Sequence, residues 1–253
     1  MVKALLRESF KKLTGVYDRV RPTYPPETIT DILDLAQIPS EGKILEIGTG
    51  TGKATTPFAE EGYHITALDP NRKFIEIVKR RLAGFPNVEF LVSSFEKARL
   101  PKDEFDLIIA AQSIHWIRPN FRFTKTGKIL KEGGYLAVFA NFQARDAELE
   151  KQVRELYKEH CPNYPGTEFG TLREIQQEFE QSDFFAKIKR KTYRRNIGYT
   201  REKYLDYVDS LSWVCTLPPA QRKHFRQEIE GLLGNKQKLK IPTETVLLIS
   251  RKK

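Results

Sequence analysis

Residues 43–55, KILEIGTGTGKAT, limit what this chain can fold into more than any other stretch. A short apolar run ends in Glu46 and breaks into three glycines, Gly48, Gly50 and Gly52, spaced G-x-G-x-G. The sequence then reads as helix to Glu61, and a second apolar run, HITALDP, carries Asp69 at its end. This pattern predicts a strand, a tight turn, a helix and a second strand with a carboxylate at its tip. Such a unit suits a ligand that carries a nucleoside. Glycines let the backbone approach it closely, a helix N-terminus offers N–H groups, and the acid can take ribose hydroxyls.

Spacing separates the ligand classes. A Walker loop needs G-x-x-x-x-G-K-[ST], but counting back from Gly52-Lys53 puts Ile47 at the first glycine, and Ala54 replaces the magnesium-binding hydroxyl. A dinucleotide fingerprint, G-x-G-x-x-G, has its last glycine where this chain has Lys53. Glu46 has no role in either. It gains one if the ligand carries an ammonium group near the turn, as S-adenosylmethionine does. The plain alternative is a glycine-rich turn in an unrelated α/β protein.

With 253 residues, 40% of them apolar, the chain can bury one substantial core and a small appended lid. No window approaches about eighteen consecutive apolar residues, so no membrane-spanning helix is expected. The N-terminal MVKALLRESFKKL lacks the apolar core and small-residue cleavage site of a secretory signal. Cys161 and Cys215 lie far apart without C-x-x-C spacing, which reads as thiols in a reducing cytoplasm and gives no metal site. The net charge of +10 points to an acidic partner, either nucleic acid, an anionic surface or a small carboxylate. Its densest cluster is KIKRKTYRR, Lys187 to Arg195, which reads as an exposed sheet edge protected by its charge, with nucleic-acid contact as the alternative.

Along the chain, residues 1–43 read as helical and irregular, with Phe10, Tyr17, Arg21 and Tyr24 around a proline-broken middle and the helix ETITDILDLAQ after it. Strands at 44–47, 64–68, 88–92, 106–111 and 135–140 alternate with helices at 53–61, 71–83 and 120–131, the last stopped by Gly133-Gly134. This alternation predicts a parallel sheet covered on both faces. Helices follow at 145–160 and 171–181, joined by CPNYPGTEFG, then the basic strand 187–195, helices at 200–211 and 219–233, and a terminal strand in TETVLLISRKK.

Over essentially its whole length the chain resembles the class I S-adenosylmethionine-dependent methyltransferases. The resemblance is carried by EIGTGTG, ALDP, FLVSSFEKARLP, FDLIIAAQSIHWI, ILKEGGYLAVF and TVLLISR, in that order. YDRVRPTYP and AQSIHW look most like the small-molecule branch that includes trans-aconitate methyltransferase-like proteins. It implies an α/β, Rossmann-like seven-stranded sheet of order 3-2-1-4-5-7-6, with the last strand antiparallel beside the basic edge strand. It further implies a single domain, with residues 43–142 as cofactor-binding core and 1–42, 143–165 and 199–235 as a helical cap. S-adenosylmethionine would place its methionine end near Glu46, Gly48, Gly50 and Gln112. Asp69 would take the ribose hydroxyls, with Pro70 beside the adenine. Ser94 and Phe95 stand where the branch often has Asp-Ala; Phe95 would stack on adenine, and Ser94 is the poorer acceptor for its amine. Tyr17 and Arg21 would close over the cofactor.

Methyl transfer needs positioning and dehydration from the protein, and sometimes a base. A carboxylate acceptor is already ionised at neutral pH, whereas a phenol or amine gains from a histidine. His115, after the fourth strand and next to Trp116, is the candidate, as a base or as a residue that orients the loop. His64 reads as structural, and His160 and His224 as solvated. Tyr204, Tyr207 and Trp213 read as core in preference to a substrate lid. The expected function is methyl transfer to a small molecule, with a carboxylic acid as one candidate acceptor. An RNA or protein methyltransferase is the runner-up, but the N/D-P-P-[YF] motif of amine-modifying enzymes is replaced by AQSIHW. A cofactor-binding protein without turnover is the third reading.

Overall fold

The computed structural model describes residues 14–143, 148–166 and 168–253. Phe10 and the start of the expected helix 145–160 lie outside them. The chain divides into two compact units. One holds Thr23–Asn141, Phe169–Tyr193 and Thr245–Lys253; the other holds Met1–Pro22, Phe142–Glu168 and Arg194–Glu244. Among the described residues no helix is long and apolar enough to cross a membrane.

The sheet has seven strands: β1 Lys43–Ile47, β2 His64–Asp69, β3 Val88–Val92, β4 Phe105–Ala111, β5 Leu130–Gln143, β6 Lys189–Thr200 and β7 Lys238–Arg251. Their order is β3-β2-β1-β4-β5-β7-β6, the order implied by the resemblance. β1 pairs in parallel with β2 and β4, and the parallel pairing continues outward to β3 and β5. Because both faces of a central parallel strand are covered, β1 and β4 read as nearly unbroken apolar runs, and Ile44, Leu45, Leu107, Ile108 and Ile109 are fully buried. β7 runs antiparallel to β5. The Lys252 N–H donates to the Gly134 carbonyl, while Thr245 meets Asn141, so numbers rise on one strand as they fall on the other.

Two differences from the sequence reading bear on the fold. The helix Pro119–Ile129 ends at Leu130, before the glycines, and Leu130 already pairs with Phe105. Residues 131–134 are spent in a register shift between that pair and Leu107–Tyr135. Gly133 takes φ +76°, and a side chain on Gly134 would crowd three carbonyl oxygens at 3.0–3.1 Å. These glycines make a bulge, not a helix stop. The other difference is the helix Pro26–Ala36, expected in the cap. Its Ile29 and Ile32 pack in the sheet's core with Ile44, Phe58 and Ile65.

β6 is an edge strand and largely exposed, as its charge implies. Its Lys191 ammonium and Tyr193 hydroxyl both engage Asp31, at 2.5 Å each, so part of the basic run is spent on the helix beside it.

The other unit has its own core around Val153, Tyr157, Tyr204, Trp213, Phe225 and Leu239. Tyr204 is fully buried and donates its hydroxyl to Glu150 at 2.9 Å, and Trp213 is buried against Tyr157 and Tyr164. These are core aromatics, as expected. His160 departs from the solvated reading: its ring is mostly covered and lies 2.7 Å from Glu228. Burial pushes the Cys161 thiol up to about 12 and Cys215 up to about 11, so both stay protonated and poorly nucleophilic at neutral pH.

Candidate functional site

The glycine turn leaves β1 with all three glycines at positive φ: Gly48 at +76°, Gly50 at +53° and Gly52 at +84°. Two of them are also steric necessities. A Cβ on Gly48 would sit 2.6 Å from the Ser113 Cβ, and one on Gly52 would sit 2.5 Å from a Val78 methyl. Gly50 is different, because a Cβ there would meet no atom of the described residues within 4 Å. Among those residues its backbone is uncrowded, as a turn that receives a ligand requires.

Glu46 is buried beneath this turn, and one of its carboxyl oxygens accepts the hydroxyls of Thr49 at 3.1 Å and Thr55 at 2.5 Å. Burial pushes its carboxyl up to about 7. The two threonine hydroxyls oppose that rise, and the nearby Asp69 charge adds to it. Glu46 thus braces the turn from below. The sequence reading gave it only a ligand role and missed the threonines, although Thr49 and Thr55 in GTGTGKATT are hydroxyls within a short reach of it.

Asp69, at the tip of β2, is 6% exposed and ties its own turn to the glycines. One oxygen accepts the Gly50 N–H at 3.0 Å, and the other the Asn71 N–H at 2.7 Å. Pro70 follows, exposed. The loop after β3 is joined to the same place, since the Ser93 N–H donates to the Asp69 carbonyl at 3.2 Å. Ser94 is half-buried, and its carbonyl starts the next turn. Phe95 is placed in the core, 2% exposed, with the Lys125 ammonium 5.0 Å from its ring centre. An adenine would have to displace this packing in order to stack on it.

The fourth strand ends in a strained residue. Gln112 takes φ +51°, a left-handed backbone that a glutamine adopts only where its surroundings enforce it. Its N–H donates to the Phe139 carbonyl at 2.9 Å and its side-chain amide to the Asn141 carbonyl at 3.2 Å. The kink swings Ser113 back over Gly48, where its hydroxyl donates to the Ile47 carbonyl. Next comes a single 3₁₀ turn, Ile114–Trp116, which carries His115 and Trp116, both half-buried, with ring centres 4.8 Å apart. Ser113 joins this turn to the glycines, a role the sequence did not betray.

Glu46, Gly48, Gly50, Asp69 and Gln112 are therefore connected at the carboxyl ends of β1, β2 and β4, where open α/β sheets bind ligands. Tyr17 and Arg21 fall in the other compact unit. There the Arg21 guanidinium lies 4.9 Å from the Tyr17 ring centre and 5.1 Å from that of Tyr207, and donates to the Ser210 carbonyl at 3.1 Å.

Residues 44–134 match the family model of the methyltransferase domain. An uncharacterised methyltransferase of Mycobacterium bovis is 28% identical over 245 residues, covering 94% of this chain and 93% of that protein. A malonyl-[acyl-carrier protein] O-methyltransferase of a Paenibacillus species is 31% identical over 167 residues, covering 61% of this chain and 60% of that protein. Among solved structures, a candidate type II methyltransferase from Anaeromyxobacter dehalogenans superposes with a TM-score of 0.64 at 21% identity, over 91% of this chain and 97% of that one. The donor set fits the cofactor of such enzymes, with a Gly50 backbone uncrowded by the described residues, a carboxylate at the tip of β2 in Asp69 and a buried carboxyl at Glu46. The matched domain, the relatives named as methyltransferases and the sheet order together support a class I S-adenosylmethionine-dependent methyltransferase.

Proposed function

We propose that this methyltransferase acts on a small molecule that presents a carboxylate. The observation that carries the reading is the segment 112–117, Gln-Ser-Ile-His-Trp-Ile, which starts beside Gly48 and contains no acidic side chain. A segment without acidic side chains beside the glycine turn favours an anionic acceptor over a protonated amine. The Paenibacillus relative is named for O-methylation of a malonyl group, which also supports an oxygen acceptor.

The bound cofactor would supply an electrophilic methyl group. Gly50 and Asp69 would hold its nucleoside portion, and Glu46, Gly48 and Gln112 would surround its amino-acid end. His115 would orient the acceptor by a hydrogen bond, since a carboxylate needs no deprotonation at neutral pH.

The test uses tritium-labelled methyl donor with panels of carboxylic acids, phenols and amines. Label should enter carboxylic acids and return as methanol on mild alkaline treatment, as a methyl ester requires. His115→Ala should then act mainly on KM for the acceptor, with donor affinity within a few-fold of wild type. A fall in kcat of about 10²–10⁴, with a rate rising through a single ionisation near pH 6.5 in the wild type, would assign His115 as a general base and contradict the carboxylate reading. RNA would replace the small molecule as acceptor if submicromolar, sequence-selective binding persisted at physiological salt. Contact through the charged edge alone should collapse with salt.

A further inference from the structure

We propose that Arg122 and Glu178 form a positioning pair that fixes the 3₁₀ turn bearing His115 and Trp116. The proposal deepens the reading of that turn as the acceptor side of the site, and its test does not need the acceptor.

A single 3₁₀ turn has few internal hydrogen bonds and leaves carbonyls without partners at its end. Here one guanidinium donates to the carbonyls of the turn, that of Ile114 included, which also accepts the Ile117 N–H at 3.1 Å. The Arg122 side chain is 5% exposed, and its Nε donates to the Ile114 carbonyl at 3.2 Å and the Ile117 carbonyl at 2.9 Å. Its Nη2 donates to the carbonyl of His115 itself at 3.3 Å. The remaining face is taken by Glu178, whose two oxygens accept from Nη1 at 2.8 and 2.7 Å. Glu178 belongs to the helix Glu168–Glu180, which is held against Pro119–Ile129 by Phe179 stacked on Phe123, ring centres 4.7 Å apart. The fork is thus aimed by the carboxylate and spent on three successive parts of one turn.

This arrangement has a planar requirement. A lysine could keep the charge but could not donate to the carbonyls and carboxylate with fixed geometry. The other end of the turn is held separately, by the Ser113 hydroxyl on the Ile47 carbonyl. Loss of the pair should therefore loosen the His115 end while leaving the glycine turn in place.

A buried arginine could instead be a brace of the fold and nothing more, and the variants are chosen to separate the two roles. Removing one partner leaves an uncompensated charge and lowers stability, whereas replacing both with apolar residues of similar size often restores it. Arg122→Lys, Glu178→Gln and the double variant Arg122→Met/Glu178→Met are prepared with 5-fluorotryptophan. The chain has only two tryptophans, and Trp213→Phe identifies the fluorine resonance of Trp116. In all three variants the Trp116 fluorine and His115 ring-proton resonances should shift or broaden, and binding of S-adenosylhomocysteine should stay within about threefold of wild type. The double variant should recover thermal stability without recovering those two signals. A double variant with wild-type resonances would reduce the pair to a brace. A loss of S-adenosylhomocysteine affinity in proportion to the loss of stability would also overturn the proposal, because the effect would then not be confined to the turn.

Discussion

Asp69→Ala should weaken binding of S-adenosylhomocysteine by about 1.5–3 kcal/mol, roughly 10- to 150-fold, the scale of hydrogen bonds to a charged group. The expected loss has two sources. The carboxylate would no longer receive the ribose hydroxyls, and the N–H groups of Gly50 and Asn71 would lose their acceptor, so the glycine turn itself would loosen. Asp69→Asn keeps one carbonyl oxygen and should fall between the two. Calorimetric titration of the three proteins checks the order. An alanine variant that binds as tightly as wild type would remove Asp69 from the cofactor site.

Glu46 should make stability depend on pH in the direction opposite to most carboxylates. In the folded chain it holds its proton up to about pH 7, against an ordinary value of 4.5. Between these values the folded state binds a proton that the unfolded chain has released, so stability falls as pH rises through this window. The full effect is about 3 kcal/mol. Glu46→Gln cannot titrate, so its stability relative to wild type should rise by that amount between pH 4.5 and 7.5, measured by urea unfolding at each pH. A difference that does not change with pH would show that Glu46 is ionised throughout. A cationic ligand group beside Glu46 would pull its carboxyl down. Cofactor binding at pH 7 should then release protons, read as a dependence of calorimetric heat on the buffer's ionisation enthalpy.

The sheet was legible because its signals are local. The apolar runs of β1, β2 and β4 and the carboxylates at the ends of β1 and β2 all stand in short windows, and their spacing carries the resemblance that gave the strand order. The boundaries that moved depend on pairing across the sheet. Gly133 and Gly134 look like a helix stop until Leu130 is seen to pair with Phe105. The same holds at the site. Gly48, Gly50 and Asp69 announce themselves, but Ser113 matters through a contact with Gly48 sixty-five positions away, and Arg122 through a carboxylate on a later helix. Nothing in AQSIHW or NFRFTK marks those distant partners. Glu46 was found for a role facing a ligand, and its burial under Thr49 and Thr55 emerged only once the turn was folded.

In the proposed reading the Gly48–Gly52 turn and Asp69 hold S-adenosylmethionine. Side-by-side calorimetry of S-adenosylhomocysteine and NAD tests it most directly. Saturable binding of the sulfur cofactor with one site per chain, weakened in Asp69→Ala, is the result this structure predicts. Tight binding of NAD with no heat from S-adenosylhomocysteine would contradict it.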